Sequence, residues 1–197
     1  MKDNKGFSLV ELIIVIAIMS IILGIVFYSF SLMVGQYARE CANNTSAALD
    51  KEKNYALAKS ASVDCYVEIV YREKDGYYAR YYIPGSAITM TDWVLDEEQK
   101  LGKQKVSMEF TIENAGAGTT QNVALDANTS VKLVYNRSSG AFKGAVIADG
   151  SEGDAGSLPA MSVLGTEQCT SIKIVQGRTY EITLYPSTGK HVLSRVN

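Results

Sequence analysis

The longest apolar stretch of the chain lies close to its N-terminus. Residues 12–34 (LIIVIAIMSIILGIVFYSFSLMV) contain no charged side chain. As a helix, this run of 23 residues would be about 35 Å long at about 1.5 Å per residue, which is enough to cross the roughly 30 Å hydrocarbon core of a membrane. The pattern therefore predicts a membrane-spanning helix.

A second pattern follows in residues 35–60. Apolar and small side chains recur there at steps of three and four, which predicts that the helix continues to about Lys59 and turns one stripe towards a core. The opposite side is charged and is expected to face solvent. The predicted stripe consists of Ala38, Cys41, Ala48, Leu49, Tyr55 and Ala56.

From residue 61 onwards the pattern is that of strands. Residues 63–72 alternate in polarity, KDG at 74–76 predicts a turn, and YYARYYI at 77–83 predicts a second strand. Two segments rich in glycine and small residues, 115–122 and 148–161, are expected to be exposed loops. The acidic run Asp96, Glu97 and Glu98 is expected in a solvated helical turn or loop. Further strands are predicted at 105–112, 131–135, 141–147, 171–176, 179–185 and 190–193.

Together these elements predict an α+β fold. A long N-terminal helix, membrane-spanning in its first half and amphipathic in its second, would pack against an antiparallel sheet of six or seven strands. The expected order is a leader at 1–6, the membrane-spanning half at 7–34, the amphipathic half at 35–60 and a β-rich head at 61–197. The pattern does not fix the order of the strands.

The composition argues against catalysis. His191 is the only histidine, no glycine-rich phosphate loop occurs, and no serine or cysteine has a nucleophile signature. We therefore expect neither an enzyme nor a cofactor. Asp149, Glu152 and Asp154 could be taken for calcium ligands, but their spacing matches no defined calcium loop, so an acidic turn is preferred and no metal is expected.

Cysteines and tyrosines leave two questions open. Three cysteines are an odd number, and Cys65 with Cys169 is the candidate disulfide, with Cys41 left over. Five tyrosines cluster in the predicted hairpin, where one face should be core and the other could contact a neighbouring subunit or a substrate. These tyrosines are Tyr66, Tyr77, Tyr78, Tyr81 and Tyr82.

The charges around the apolar run predict its orientation. Lys2 and Lys5 precede it, so the N-terminus should lie in the cytoplasm and the head outside. A cleaved secretory signal fits less well, because the run is longer than the usual 7 to 15 or so residues and no small-x-small cleavage site follows. A plain anchor fits the length but leaves Glu11 unexplained, since a carboxylate in an apolar segment is costly and usually has a functional partner.

The segment KGFSLVELIIVIAIMSIILG, residues 5–24, resembles the prepilin signature of type IV pilins and type II secretion pseudopilins. The shared features are a basic leader ending in glycine, then an aromatic residue, three further residues and a glutamate before the apolar run. The resemblance implies cleavage by a prepilin peptidase between Gly6 and Phe7, N-methylation of Phe7, and a role for Glu11 in assembly. Lys2 and Lys5 would supply the charge of the leader.

Elementary chemistry is consistent with these roles. Gly6 would let a peptidase approach the backbone closely, and a cut there leaves a free amine on Phe7. Glu11, four residues on, lies on the same helix face and could meet that amine or a neighbour's. A helix-capping glutamate near the headgroups remains the alternative.

One position departs from the family pattern. Many pilins carry a proline where this chain has Tyr28, which leaves Ser20 and Gly24 as the only weak points of the helix. Local melting of the helix inside a filament, which the proline favours in the family, therefore lacks this support in the present chain.

The resemblance implies a structural subunit of a type IV pilus or a type II secretion-like filament. The order of elements and the strand, glycine turn, strand ending resemble tip-associated minor pseudopilins, so a minor pilin or pseudopilin is favoured. Its expected partners are other subunits, the prepilin peptidase, the inner-membrane assembly platform with its ATPase, and membrane lipid before assembly. It would be a single-pass protein of the cytoplasmic membrane, then part of a cell-surface or periplasm-spanning filament.

Three alternatives stay open. The chain could be a major pilin, or a competence-type minor pilin that binds DNA through Arg178, Lys190 and Arg195. DNA is the lesser candidate partner because the chain is acidic overall, with a net charge of -2. A membrane-anchored binding module that never polymerises is the alternative of another class, and for it Glu11 would be dispensable.

Overall fold

The computed structural model describes residues 9–33, 35–58, 65–84, 93–149 and 166–196. Two helices come first, α1 at Leu9–Met33 and α2 at Gln36–Ala58. Strands make up the rest of the described chain. They are β1 (Cys65–Arg72), β2 (Gly76–Pro84), β3 (Trp93–Gly102), β4 (Ser107–Asn114), β5 (Thr119–Ala124), β6 (Thr129–Tyr135), β7 (Phe142–Asp149), β8 (Glu167–Gln176), β9 (Arg178–Tyr185) and β10 (Lys190–Val196).

The strands form two antiparallel sheets. The first has the order β3-β2-β1-β6-β7 and the second the order β10-β9-β8-β4-β5. The predicted α+β class, with a long N-terminal helix packed against a sheet, is confirmed. The expectation of one sheet with six or seven strands is wrong, because the described strands divide into two sheets of five.

Helix α2 lies between the head's sheets and shares one core with them. Its small side chains let the two sheets approach the helix closely, and residues of both sheets belong to the same buried cluster. A side chain at Gly102 on β3 would lie 2.5 Å from the Cys41 sulfur, so the glycine is required for this contact. The predicted stripe is buried at Ala38, Cys41, Ala48, Leu49 and Ala56, and half-buried at Tyr55.

The helical region is divided at Gly35, where a single helix was expected. Gly35 has φ 85, a backbone conformation that side chains other than glycine adopt only with strain. A Cβ there would also lie 2.7 to 2.8 Å from side-chain atoms of Arg178, so the start of β9 packs directly against the junction of the helices. Helix α2 ends at Ala58, close to the expected end near Lys59.

Two strands were not predicted. The acidic run at residues 96–98 lies in β3, an edge strand paired with β2, and not in a helical turn or loop. An edge strand tolerates a polar sequence because one side of its backbone and part of its side chains face water. The expected loop at 115–122 is a short turn followed by β5, whose Thr119 and Val123 are good strand formers.

The candidate disulfide is not formed. Cys65 lies on β1 of the first sheet and Cys169 on β8 of the second, and both are buried thiols, as is Cys41. Burial raises the pKa of Cys41 and of Cys169 to about 12, because a thiolate would lose its hydration inside the protein. Buried, protonated thiols of this kind behave as small apolar core residues.

Candidate functional site

The surface of α1 is apolar, and over Leu9–Phe27 it is not covered by the head. Its stretch Leu9–Phe27 has a mean hydropathy of 3.0, and none of it is buried within the chain. Nineteen residues correspond to about 28 Å of helix, close to the roughly 30 Å of a membrane's hydrocarbon core. The helix is therefore long and apolar enough to cross a membrane, and its side chains need lipid or other helices around them.

Glu11 is the only charged residue of α1 and lies in its first described turn. Its side chain is exposed, and the positive end of the helix dipole is close by. A carboxylate within hydrocarbon costs about 2.5 to 3.5 kcal/mol unless an opposite charge compensates it. The geometry leaves the Glu11 carboxylate open to a positive group from another molecule.

The other residues of the predicted processing site lie outside the described part of the chain. They are Lys2, Lys5, Gly6 and Phe7. Within the described part, α1 runs without a break through the two expected weak points, Ser20 and Gly24. The Ser20 hydroxyl donates a hydrogen bond to the carbonyl of Ile16 at 2.8 Å, so its polar group is satisfied inside the helix.

The three cations proposed for DNA binding do not share one surface. Lys190 and Arg195 are five residues apart on β10, so they lie on opposite faces of the strand, about 17 Å apart along it. Arg195 is paired in register with Tyr180. Arg178 packs against Gly35 and is half-buried. The structure therefore does not gather the three cations at one place, and DNA binding stays a prediction.

His191 joins β10 to α2 and is not arranged for catalysis. Its Nε2 lies 3.0 Å from the Ser46 hydroxyl and 3.6 Å from the Asp50 carboxylate. A serine, histidine and aspartate relay needs the hydroxyl and the carboxylate on different ring nitrogens. Both contacts here are made by the same nitrogen, so the cluster acts as a structural link between the last strand and the helix.

This link predicts a dependence of stability on pH. Burial lowers the pKa of His191 and Lys53 lowers it further, against the opposing effect of Asp50. Because the folded-state pKa lies below that of the unfolded chain, about 6.5, the stabilisation is complete above that pH and is lost as the pH falls below it. Denaturant unfolding between pH 8 and pH 5 should show a steeper acid loss for the wild type than for His191→Gln.

The wild type is compared with His191→Gln because a second buried group, Glu52, titrates in the same pH range. Burial raises the pKa of Glu52 on α2 to about 7, and its Oε1 has no hydrogen-bond partner among the described residues. Glu52 is present in both chains, so its contribution cancels in the difference. An Asp50→Asn variant should lose more stability in acid than the wild type; equal acid profiles for the wild type and His191→Gln would contradict the assignment.

A row of alternating charges crosses the first sheet on the face directed away from the shared core. This charge ladder consists of Glu98 on β3, Arg80 on β2, Glu68 on β1 and Lys132 on β6, which are paired in register across the four strands. Arg80 Nε lies 3.2 Å from Glu98 Oε1, and its Nη1 lies 3.8 Å from Glu68 Oε2. Lys132 Nζ lies 3.9 Å from Glu68 Oε1.

The centre of the charge ladder is buried. Glu68 is 2% exposed, Lys132 3% and Arg80 6%. The hydroxyls of Tyr82 and Ser130 each donate a 2.8 Å hydrogen bond to Glu68, one to each carboxylate oxygen. Sequence reasoning missed this network, although its signal was present: each of the three central charges has an apolar residue directly on both sides.

The tyrosines of the hairpin are mostly interior. Tyr66 and Tyr82 stack on the ladder face with ring centroids 4.8 Å apart, while Tyr77 and Tyr81 belong to the shared core. Only Tyr78 of the five is half-buried, with Arg72 and Lys100 near its ring. The predicted core face is confirmed, but the hairpin tyrosines do not form an exposed aromatic contact surface.

Two of the three acidic residues of the candidate calcium group lie outside the described part of the chain. Glu152 and Asp154 lie outside the described residues, and Asp149 is the last residue of β7. Elsewhere, the described ranges contain no group of three or more histidine, cysteine, aspartate or glutamate side chains that could hold a metal ion. The preference for an acidic turn stays a prediction.

Comparison with known proteins adds one finding. A family described as a prokaryotic N-terminal methylation motif matches residues 1–27. The match covers the expected leader, Glu11 and most of α1, and it does not extend into the head. No curated protein and no solved structure is similar enough to this chain to count as a match. The N-terminus therefore carries the methylation motif, in agreement with the pilin-like signature of its sequence.

Proposed function

We infer from the methylation motif of residues 1–27 that this chain is a pilin-like structural subunit, made as a precursor and assembled through its N-terminal helix. The observation that carries the proposal is the motif joined to a helix whose apolar surface the head leaves uncovered. An apolar helix of this length is stable in lipid before assembly and among the helices of other subunits afterwards. The head remains on the outer side.

The proposed processing follows from the residues at the start of the motif. A prepilin peptidase would cut between Gly6 and Phe7, and the new amine of Phe7 would be methylated. Phe7 and Glu11 are four residues apart in the sequence, which would place them on one face of a helix. A Glu11 carboxylate of one subunit could then pair with the Phe7 amine of the next. Pairing removes the cost of two separate charges in an apolar surrounding.

We propose further that the chain is a minor pilin or pseudopilin. This rests on the order of its elements and on its ending, in which β9, a turn with Gly189 and β10 follow one another. The proposed partners are other subunits, the peptidase, and the assembly platform of the cytoplasmic membrane with its ATPase. A major pilin would have the same processing and would differ in abundance.

The first test is the mass and N-terminal sequence of the protein from membranes of cells with and without the prepilin peptidase. We expect a mature chain that begins at Phe7 and is heavier by one methyl group, present only with the peptidase. Gly6→Val should block the cut because a branched side chain hinders approach to the scissile bond. A chain that keeps Met1 in both strains would refute the proposal.

Gly24→Val is the matched control for that substitution. Apart from its chain neighbours and the backbone of its own helix, no atom of the described residues lies within 4 Å of a Cβ placed at Gly24, so the same change should be accommodated there without affecting the cut. Loss of cleavage in both variants would mean that any added bulk in the helix disturbs insertion. In that case the assignment of Gly6 to the cleavage site would fail.

A further inference from the structure

A cluster of positive charge lies beside the start of α2. A hollow of about 360 Å³ is lined by Tyr37, four lysines, Asp75 and Gln104. We call this the lysine hollow; its lysines are Lys74, Lys100, Lys103 and Lys105. Such a cluster is unexpected in a chain with a net charge of -2. It contains none of the three cations predicted from the sequence.

The lysine hollow is built by the helix and two turns. Tyr37 is the second residue of α2, while Lys74 belongs to the turn between β1 and β2 and Lys103 to the turn between β3 and β4. Lys103 Nζ lies 4.5 Å from the centre of the Tyr37 ring. This contact holds the β3–β4 turn against the first turn of α2.

Most of the charge in the lysine hollow is not neutralised within it. Lys100 lies 4.0 Å from Asp75, and both side chains are about half exposed. Lys74, Lys103 and Lys105 are exposed as well. An adjoining hollow of about 150 Å³ adds the carboxylate of Glu40 near Lys100 and Lys103. Four ammonium groups against two carboxylates leave a positive surface that fits an anion.

The position of the lysine hollow indicates which anion it meets. Tyr37 follows the uncharged run 12–34 by three residues, so the hollow lies where the chain leaves a membrane. Tyrosine and lysine side chains are favoured at that level because the ring sits among the headgroups and the ammonium reaches the phosphates. The packing of Arg178 on Gly35 brings another cation to the same end of the head.

We propose that the lysine hollow binds the headgroups of anionic phospholipids and thereby holds the head against the outer face of the membrane before assembly. The proposal rests on the membrane-anchored stage of the proposed function but does not require that the chain polymerises. An acidic surface on another subunit is the competing occupant. Lipid is favoured because the apolar helix fixes the hollow at the membrane surface in every single copy.

The test uses the full-length chain in nanodiscs that hold one copy each, so contact between subunits is excluded. Hydrogen exchange of the backbone amides at residues 73–75 and 103–105 is compared in discs of phosphatidylcholine and discs rich in phosphatidylglycerol. Each lysine at an anionic surface should change the docked population about fivefold, so exchange should slow by about fivefold or more. The difference should vanish near 1 M salt, where the Debye length is about 3 Å.

Two double variants give the decisive comparison. Lys103→Gln with Lys105→Gln should abolish the effect of lipid charge, whereas Lys173→Gln with Lys190→Gln removes two charges elsewhere on the head and should preserve it. Equal exchange of the wild type in both lipids would overturn the proposal, even if N-terminal processing is found. If exchange is equal in both lipids but Lys103→Gln with Lys105→Gln loses filaments while the control double variant does not, the occupant of the lysine hollow is a neighbouring subunit.

Discussion

A Glu11→Gln chain is expected to be cut and inserted normally, yet to reach filaments at no more than about a tenth of the wild-type level. Glutamine keeps the shape and polarity of the side chain but removes the charge that would pair with an amine of the next subunit. The amine would then stand in an apolar surrounding without its counter-charge, at a cost of about 2.5 to 3.5 kcal/mol, and about 1.4 kcal/mol already corresponds to a tenfold change. The measurement is the ratio of subunit in sheared filaments to subunit in membranes.

Glu40→Gln is the matched control for this prediction. Glu40 is the next acidic residue along the chain and is exposed on α2, beyond the apolar run. Its replacement should leave the filament ratio within about twofold of the wild type, and N-terminal sequencing should show the same cut in both variants. Normal assembly of Glu11→Gln would instead favour an anchored module that never polymerises.

The helices could be predicted from the sequence because their signals are local. An uncharged run of this length has few alternatives, and the stripe of α2 is repeated over six turns of helix. What the pattern could not give is the break between the helices. It depends on Gly35 adopting a positive φ and on Arg178 packing there, a contact between residues 143 positions apart in the sequence.

The sheets were harder to predict because pairing between strands is not local. β3 reads as a polar segment, and only its place at the edge of the first sheet, beside β2, makes it a strand. The division into two sheets follows from which strands pair, and β1 pairs with β6 across more than 60 residues. Strand register of this kind is set by tertiary packing more than by local preference.

The separation of two of the candidate DNA-binding cations could have been predicted from the sequence. Residues 190–193 were predicted as a strand, and alternation along a strand places Lys190 and Arg195 on opposite faces if the strand continues by two residues. The charge ladder had a comparable signal. Lone charges in the apolar strands VEIV, YARYY and VKLV indicate partners across a sheet, but the pairs could be identified only once the register was known.

Replacing Glu68 by alanine is expected to destabilise the head by about 3 to 5 kcal/mol. Arg80 and Lys132 would remain nearly buried without the carboxylate that lies between them, and two hydroxyls would lose their acceptor. The measurement is denaturant unfolding of the full-length chain in detergent, with the circular dichroism signal of the strands used to monitor unfolding of the head. Glu113→Ala, the same change at an exposed position on β4, should alter stability by no more than about 0.5 kcal/mol.

A triple variant identifies the source of the loss. Glu68→Leu with Arg80→Met and Lys132→Met removes all three central charges together, so none of the three stays buried after losing another. If the cost of Glu68→Ala comes from removing the carboxylate that lies between two buried cations, the triple variant should be more stable than the single one, because a buried ion pair can often be exchanged for apolar residues without loss. If the triple variant is less stable than Glu68→Ala, the charge ladder makes a net favourable contribution to the stability of the sheet.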